Sequence, residues 1–122
     1  MALPARIPKA AKRASRWISK RHRTFVAGFA CCKCGSMRSV EAAHVRIGSG
    51  AGMGQKPDDW RTVSLCAACH RGPRADAQHA MGERSFWAGI DYERLIAEFI
   101  QASPLRREIV TAQAERALGV AA

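Results

Sequence analysis

Acidic residues are missing from the first third of this sequence. Residues 1–40 contain ten basic side chains and no Asp or Glu, whereas from Glu41 onward ten basic residues face ten acidic ones, so the whole net charge of +10 belongs to the leading segment. Solubility alone does not require such an asymmetry, and it implies a polyanionic partner, nucleic acid first among them. Also missing is any apolar run near the roughly 18 residues of a membrane span, so no membrane partner is expected. The basic N-terminus is not followed by an apolar stretch with a small-residue cleavage site, which argues against a secretory leader. Five cysteines, an odd number, would leave one thiol over in a disulfide framework, and a reducing, cytoplasmic setting fits them better. Internal repeats are absent. At 122 residues the chain is expected to form one small core that a metal staple would help.

Residues 1–14 read as a flexible basic arm, and residues 15–90 as the main domain. A basic helix is expected from Ser15 to Phe29, with Ser15 as its cap, because Trp17, Ile18, Phe25, Val26 and Phe29 recur at helical spacing. After a turn at Cys31–Gly35, Ser39–Ile47 reads as extended, and Thr62–Leu65 reads as a strand able to pair with it. Cys66–Arg71 looks like the start of a helix that Gly72-Pro73 interrupts. Glu83–Ala88 is weakly helical. Residues 91–122 form a helical extension: one helix over Asp91–Ala102 with Asp91 as cap, then another to Leu118 with Ser103 as N-cap and Pro104 at its first position. Trp60, Phe86 and Trp87 are expected in the core rather than stacked on bases.

The glycine-rich stretch GSGAGMGQKPDD fails as a phosphate loop. A P-loop needs Gly-Lys-Ser/Thr, but Gln55 separates Gly54 from Lys56 and Pro57 follows; the dinucleotide fingerprint fails because Met53 stands where its last glycine belongs. A surface loop between strands is the better reading.

Cys31-x-x-Cys34 and Cys66-x-x-Cys69 carry the clearest chemistry. A two-residue spacer lets both thiolates of a pair reach one ion, and two pairs close a tetrahedral structural Zn²⁺ site. Cys32 is read as a spare thiol. Such a closed site has no open position, so any catalysis must come from elsewhere. His44 lies between the two pairs, His70 directly follows the last cysteine, and His79 lies further on.

The pattern Cys-x-x-Cys, Ala-His-Val-Arg, Leu-Cys-x-x-Cys-His resembles the HNH nucleases of the His-Me finger, or ββα-metal, superfamily. More narrowly, Glu41–Arg46, Gly52–Asp59, Cys66–His70 and Gln78–Trp87 look like small phage and prophage HNH-type proteins, a broad group that includes RecA-dependent nucleases. The resemblance covers about Ser15 to Trp87. It implies an α+β fold with a zinc-stapled ββα-metal core, a basic N-terminal helix and C-terminal helices, and a metal-dependent endonuclease acting on DNA, single-stranded or branched DNA included. In it His44 matches the general base, and His70, His79 and Asp59 are the expected ligands of a catalytic Mg²⁺, Mn²⁺ or Zn²⁺. Arg46 suits the scissile phosphate, and Arg13, Arg16, Lys20, Arg21, Arg23 and Lys56 suit the nucleic-acid backbone. Two departures matter: Ala43 stands where many members have a ligand, and Arg61 stands where they have a middle Asn. Asp58 and Glu41 are further candidate donors. The alternative reading is a non-catalytic zinc-binding nucleic-acid adaptor.

Overall fold

In the computed structural model, residues 2–8, 15–52 and 54–119 are described. They form a small mixed α/β fold around one two-stranded antiparallel sheet. In chain order the elements are α1 (Lys20–Val26), β1 (Val40–His44), β2 (Thr62–Cys66), α2 (Ala67–His70), α3 (Gln78–Met81), α4 (Glu83–Phe86), α5 (Tyr92–Ala102) and α6 (Arg106–Ala117). No helix among the described residues is long and apolar enough to cross a membrane.

The expected strand pair forms, with Val40 opposite Cys66, Ala43 opposite Val63 and His44 opposite Thr62. Every residue of β2 is buried, which the apolar Val63 and Leu65 permit and which Thr62 and Ser64 tolerate by bonding to the Asp59 and Ala30 carbonyls. Ala43 and Val45 point into the core, so the position where a ligand was lacking packs against apolar neighbours. Trp60, Phe86 and Trp87 are buried as expected.

The basic helix is shorter than its periodicity suggested. Residues 15–19 are not helical, because the amides of Trp17 and Ser19 donate to Asp58 Oδ1 (2.6 Å) and Asp59 Oδ2 (2.8 Å), and the Trp17 carbonyl accepts from the Asp59 amide (2.9 Å). Those tertiary bonds outcompete helical ones. Ser19 rather than Ser15 caps α1, accepting from the His22 amide.

Asp91 caps α5 as expected by accepting from the Arg94 amide, and Ile96, Phe99 and Ile100 face the core. The start of α6 differs. Leu105 precedes it without a side-chain cap, while Ser103 Oγ lies 2.9 Å from Nδ1 of the buried His22 and accepts from the Leu105 amide. A buried imidazole needs that hydroxyl more than a helix end does. Burial holds the His22 pKa below its usual value although the Asp59 charge pulls the other way. Ile109 of α6 is fully enclosed in the same core as the sheet. Arg61, at the position of the missing Asn, spans Val45 O, Ile47 O and the Glu93 carboxylate and so ties the end of β1 to α5.

Candidate functional site

Cys31, Cys34, Cys66 and Cys69 converge, with their sulfurs all within 4.8 Å of one another. The first pair sits in the turn after α1 and the second begins at the last residue of β2, and the Cys32 amide, donating to Ser64 O of β2 (2.9 Å), holds that turn against the strand. Cys34 Sγ and Cys66 Sγ are 3.6 Å apart, close to the roughly 3.8 Å edge of a tetrahedron with Zn–S bonds of about 2.3 Å. Burial opposes ionisation of Cys31, yet hydrogen bonds from the Cys34, Cys66 and Lys33 amides outweigh it and bring its pKa down to about 7. Cys69 is driven the other way by burial and by the neighbouring sulfurs. Four crowded thiols with one thiolate already favoured are a donor set that a soft dication relieves, and the group fits structural zinc. Cys32 stands outside the set, beside Ser64. Lys33 closes the first knuckle over α4, donating to Phe86 O (3.0 Å) with its ammonium 4.8 Å from the ring centre.

His44 ends β1 with its side chain one-quarter exposed, and its Nε2 lies 2.8 Å from Asp59 Oδ1. Asp59 is completely enclosed. Its other contacts are Arg16 Nη1 (2.9 Å), Arg23 Nε (3.0 Å) and the Ser19 amide. Burial disfavours the carboxylate, but the Ser19, His44 and Arg16 hydrogen bonds prevail and hold its pKa below the usual range. An ionised Asp59 accepts a hydrogen bond from Nε2–H, so the His44 tautomer this pairing selects keeps its lone pair on Nδ1. Gln78 Nε2 donates to the His44 carbonyl (3.0 Å) and fixes the backbone.

His70, on α2, places Nδ1 2.9 Å from Glu41 Oε1, and Arg71 binds the same carboxylate. Burial lowers the His70 pKa further than Glu41 raises it, so the ring is neutral near pH 7. Glu41 is held ionised against its own burial by Arg71 and His70. A neutral imidazole donating Nδ1–H to a carboxylate presents Nε2 as a ligand atom, the arrangement metal-binding histidines commonly use. The His79 ring stands edge-on to His70 with centroids 4.4 Å apart. His44, His70 and His79 line one cleft of about 400 Å³ together with Arg46, Lys56, Gln78 and Glu83.

Not every expected residue takes its expected place. Asp59 is not gathered with His70 and His79: among the described residues only the four cysteines form a compact group of three or more ligand atoms, and both Asp59 oxygens are already engaged. Asp58 is likewise taken, by Arg116 and the Trp17 amide. Arg16 and Arg23 spend part of their charge on Asp59. Lys20 and Arg21 are exposed on α1, and Arg13 lies outside the described residues. Arg46 and Lys56 do reach the cleft, and an Arg46 guanidinium nitrogen donates to Gly52 O. Sequence reasoning missed Glu83, whose carboxylate accepts from the Arg46 and Ile47 amides and sets the direction of the chain beyond His44. It also missed Gln78, although that residue directly precedes His79.

The chain belongs to the family described as a protein of unknown function (DUF968), whose model matches residues 4–88. The matched stretch holds all four converging cysteines, His44, Asp59, His70 and His79, whereas α5 and α6 lie beyond it. No curated protein and no solved structure matches the chain.

Two outcomes follow from this geometry. Purified protein should hold one zinc per chain by elemental analysis, and Cys66→Ser or a strong chelator should remove it and lower the thermal midpoint sharply; full stability without metal would contradict the staple. Asp59→Asn should cost about 1–3 kcal/mol at pH 7, the range for leaving buried partners unsatisfied. Because the folded Asp59 pKa is depressed, that stabilisation is complete above the unfolded value of about 3.9 and vanishes as pH falls through the folded one. Urea titrations should therefore show the gap between wild type and variant closing below about pH 4, and a gap that stays constant there would contradict it.

Proposed function

We propose that the protein is a metal-dependent endonuclease of the HNH, or ββα-metal, type that hydrolyses DNA phosphodiester bonds. The observation that carries this reading is the Asp59–His44 pair opening on the same cleft as the His70–His79 pair. Phosphodiester hydrolysis needs a base for water, countercharge for the leaving oxygen, and cations to hold the backbone. His44 supplies the base: with Nε2–H committed to Asp59, its Nδ1 accepts the proton of the attacking water. Asp59 is a positioning residue rather than a ligand, and the imidazolium that forms lies beside its negative charge. A divalent cation, Mg²⁺, Mn²⁺ or Zn²⁺, supplies charge stabilisation of the leaving oxygen when bound, and His70 and His79 are the residues suited to hold it. Arg46 and Lys56 bind the phosphate from the cleft wall. The order β1, β2, α2, with His44 ending the first strand and His70 on the helix after the second, supports the ββα comparison. The basic Lys20 and Arg21 on α1 favour a polynucleotide over a small phosphoester.

The alternative, a zinc-binding nucleic-acid adaptor without catalysis, is favoured by one observation: Ala43 is buried in the core and offers no ligand. Plasmid nicking across Mg²⁺, Mn²⁺ and Zn²⁺ separates the two. The nuclease reading predicts EDTA-sensitive nicking that His44→Ala lowers by at least about a hundredfold, the usual scale of a general base, with zinc content and DNA affinity kept. DNA binding with no nicking under any of the three metals would establish the adaptor instead.

A further inference from the structure

A second cationic hollow lies beside the cleft. It measures about 300 Å³ and is lined by Arg16, Ser49, Ala51, Gln55, Lys56, Pro57, Asp58 and Arg116, so Gln55, Lys56 and Pro57 form a wall common to both. Three cations face one carboxylate there. The two arginines are pre-set by the fold: Arg116 clasps Asp58 through Nη1 (2.8 Å) and Nη2 (3.0 Å) and reaches Ser15 O, and Arg16 Nη1 is anchored on Pro57 O and Asp59. Both remain about one-third exposed. Guanidinium groups whose rotamers are already fixed lose little further freedom when an anion arrives. Lys56 is exposed on the shared wall, without a hydrogen bond or ion pair among the described residues.

We propose that this hollow is a second phosphate subsite, which takes a backbone phosphate of the polynucleotide whose neighbouring phosphodiester occupies the His44 cleft. The proposal rests on the nucleic-acid reading above and adds to it the path of the strand, over Lys56 and toward α6. It also gives α6, outside the family match, a part in substrate binding: Arg116 brings its charge to the hollow and packs 5.6 Å above the Trp60 ring.

Ala51 tests this without touching the fold's ion pairs, since it lines the hollow and not the cleft. The zinc-loaded 122-residue chain is titrated against a fluorescent single-stranded oligonucleotide over a range of salt concentrations with no second divalent metal added, and Mn²⁺-dependent hydrolysis of bis(p-nitrophenyl) phosphate is measured separately. That small diester fills the cleft alone. Ala51→Glu should weaken oligonucleotide binding about five- to tenfold and lower the salt slope by about 0.7, the contribution of one phosphate contact on a single strand. Ala51→Gln, equal in bulk and uncharged, should bind within about twofold of wild type, and both variants should hydrolyse the small diester at the wild-type rate. Wild-type affinity and salt slope in Ala51→Glu, an equal loss in Ala51→Gln, or no oligonucleotide binding by wild type would overturn the subsite. If wild type binds the oligonucleotide but hydrolyses no diester, the nuclease reading fails and the binding comparison still decides the subsite.

Discussion

The enclosed carboxylate of Asp59 is the constraint on which the arrangement around the His44 cleft depends. A fully buried aspartate needs compensation for its lost hydration, and the chain supplies it from three places at once: the non-helical lead-in to α1, α1 itself through Arg23, and the end of β1 through His44. One buried carboxylate thereby decides where the basic lead-in lies, where α1 starts, and which nitrogen of His44 is engaged within the fold. Next to it, Asp58 does the same for α6 through Arg116. The two neighbouring acids are thus the points at which the basic lead-in, the hairpin and the C-terminal helices meet.

The cysteine cluster acts at the other end of the hairpin. Val40 pairs with Cys66 at the cysteine end and His44 with Thr62 at the cleft end, so the strand pair acts as a spacer between the four-cysteine group and the His44 cleft. Because α2 begins directly after Cys66 and carries Cys69, its last residue His70 has little freedom once the four sulfurs are held. Glu41, in the same strand as His44, then fixes the ring of His70. An ion held by the four cysteines would in this way fix the polar groups around His70, which a small chain with a limited core could not hold by packing alone.

Much of this was legible in the sequence, and the gaps have physical causes. The spacing of the cysteine pairs, the alternation in the two strands and the cap of α5 are local features, and local chemistry decides them. Residues 15–19 were misread as helix because their competing partners, Asp58 and Asp59, are some forty positions away. Ser103 was read as a helix cap for the same reason: the buried His22 that claims its hydroxyl lies 81 positions upstream. Asp59 is expected from the sequence as a metal ligand, and the structure places its carboxylate on His44, Arg16, Arg23 and the Ser19 amide instead. An acid between two histidines in sequence reads equally as a ligand or as an orienting partner, and its burial and contacts with distant residues are not visible at that level. Glu83 lies in the Gln78–Trp87 stretch but draws no role from the sequence, since what it does is hold two backbone amides across the fold.

The nitrogen resonances of the histidine rings in the zinc-loaded protein, followed while Mn²⁺ is added, test the central claim most directly. The account predicts that neutral His44 is the Nε2–H tautomer, and that about one equivalent of Mn²⁺ broadens the His70 and His79 rings first, consistent with one site built on that pair. An Nδ1–H tautomer at His44, with all three rings indifferent to the ion, would contradict it.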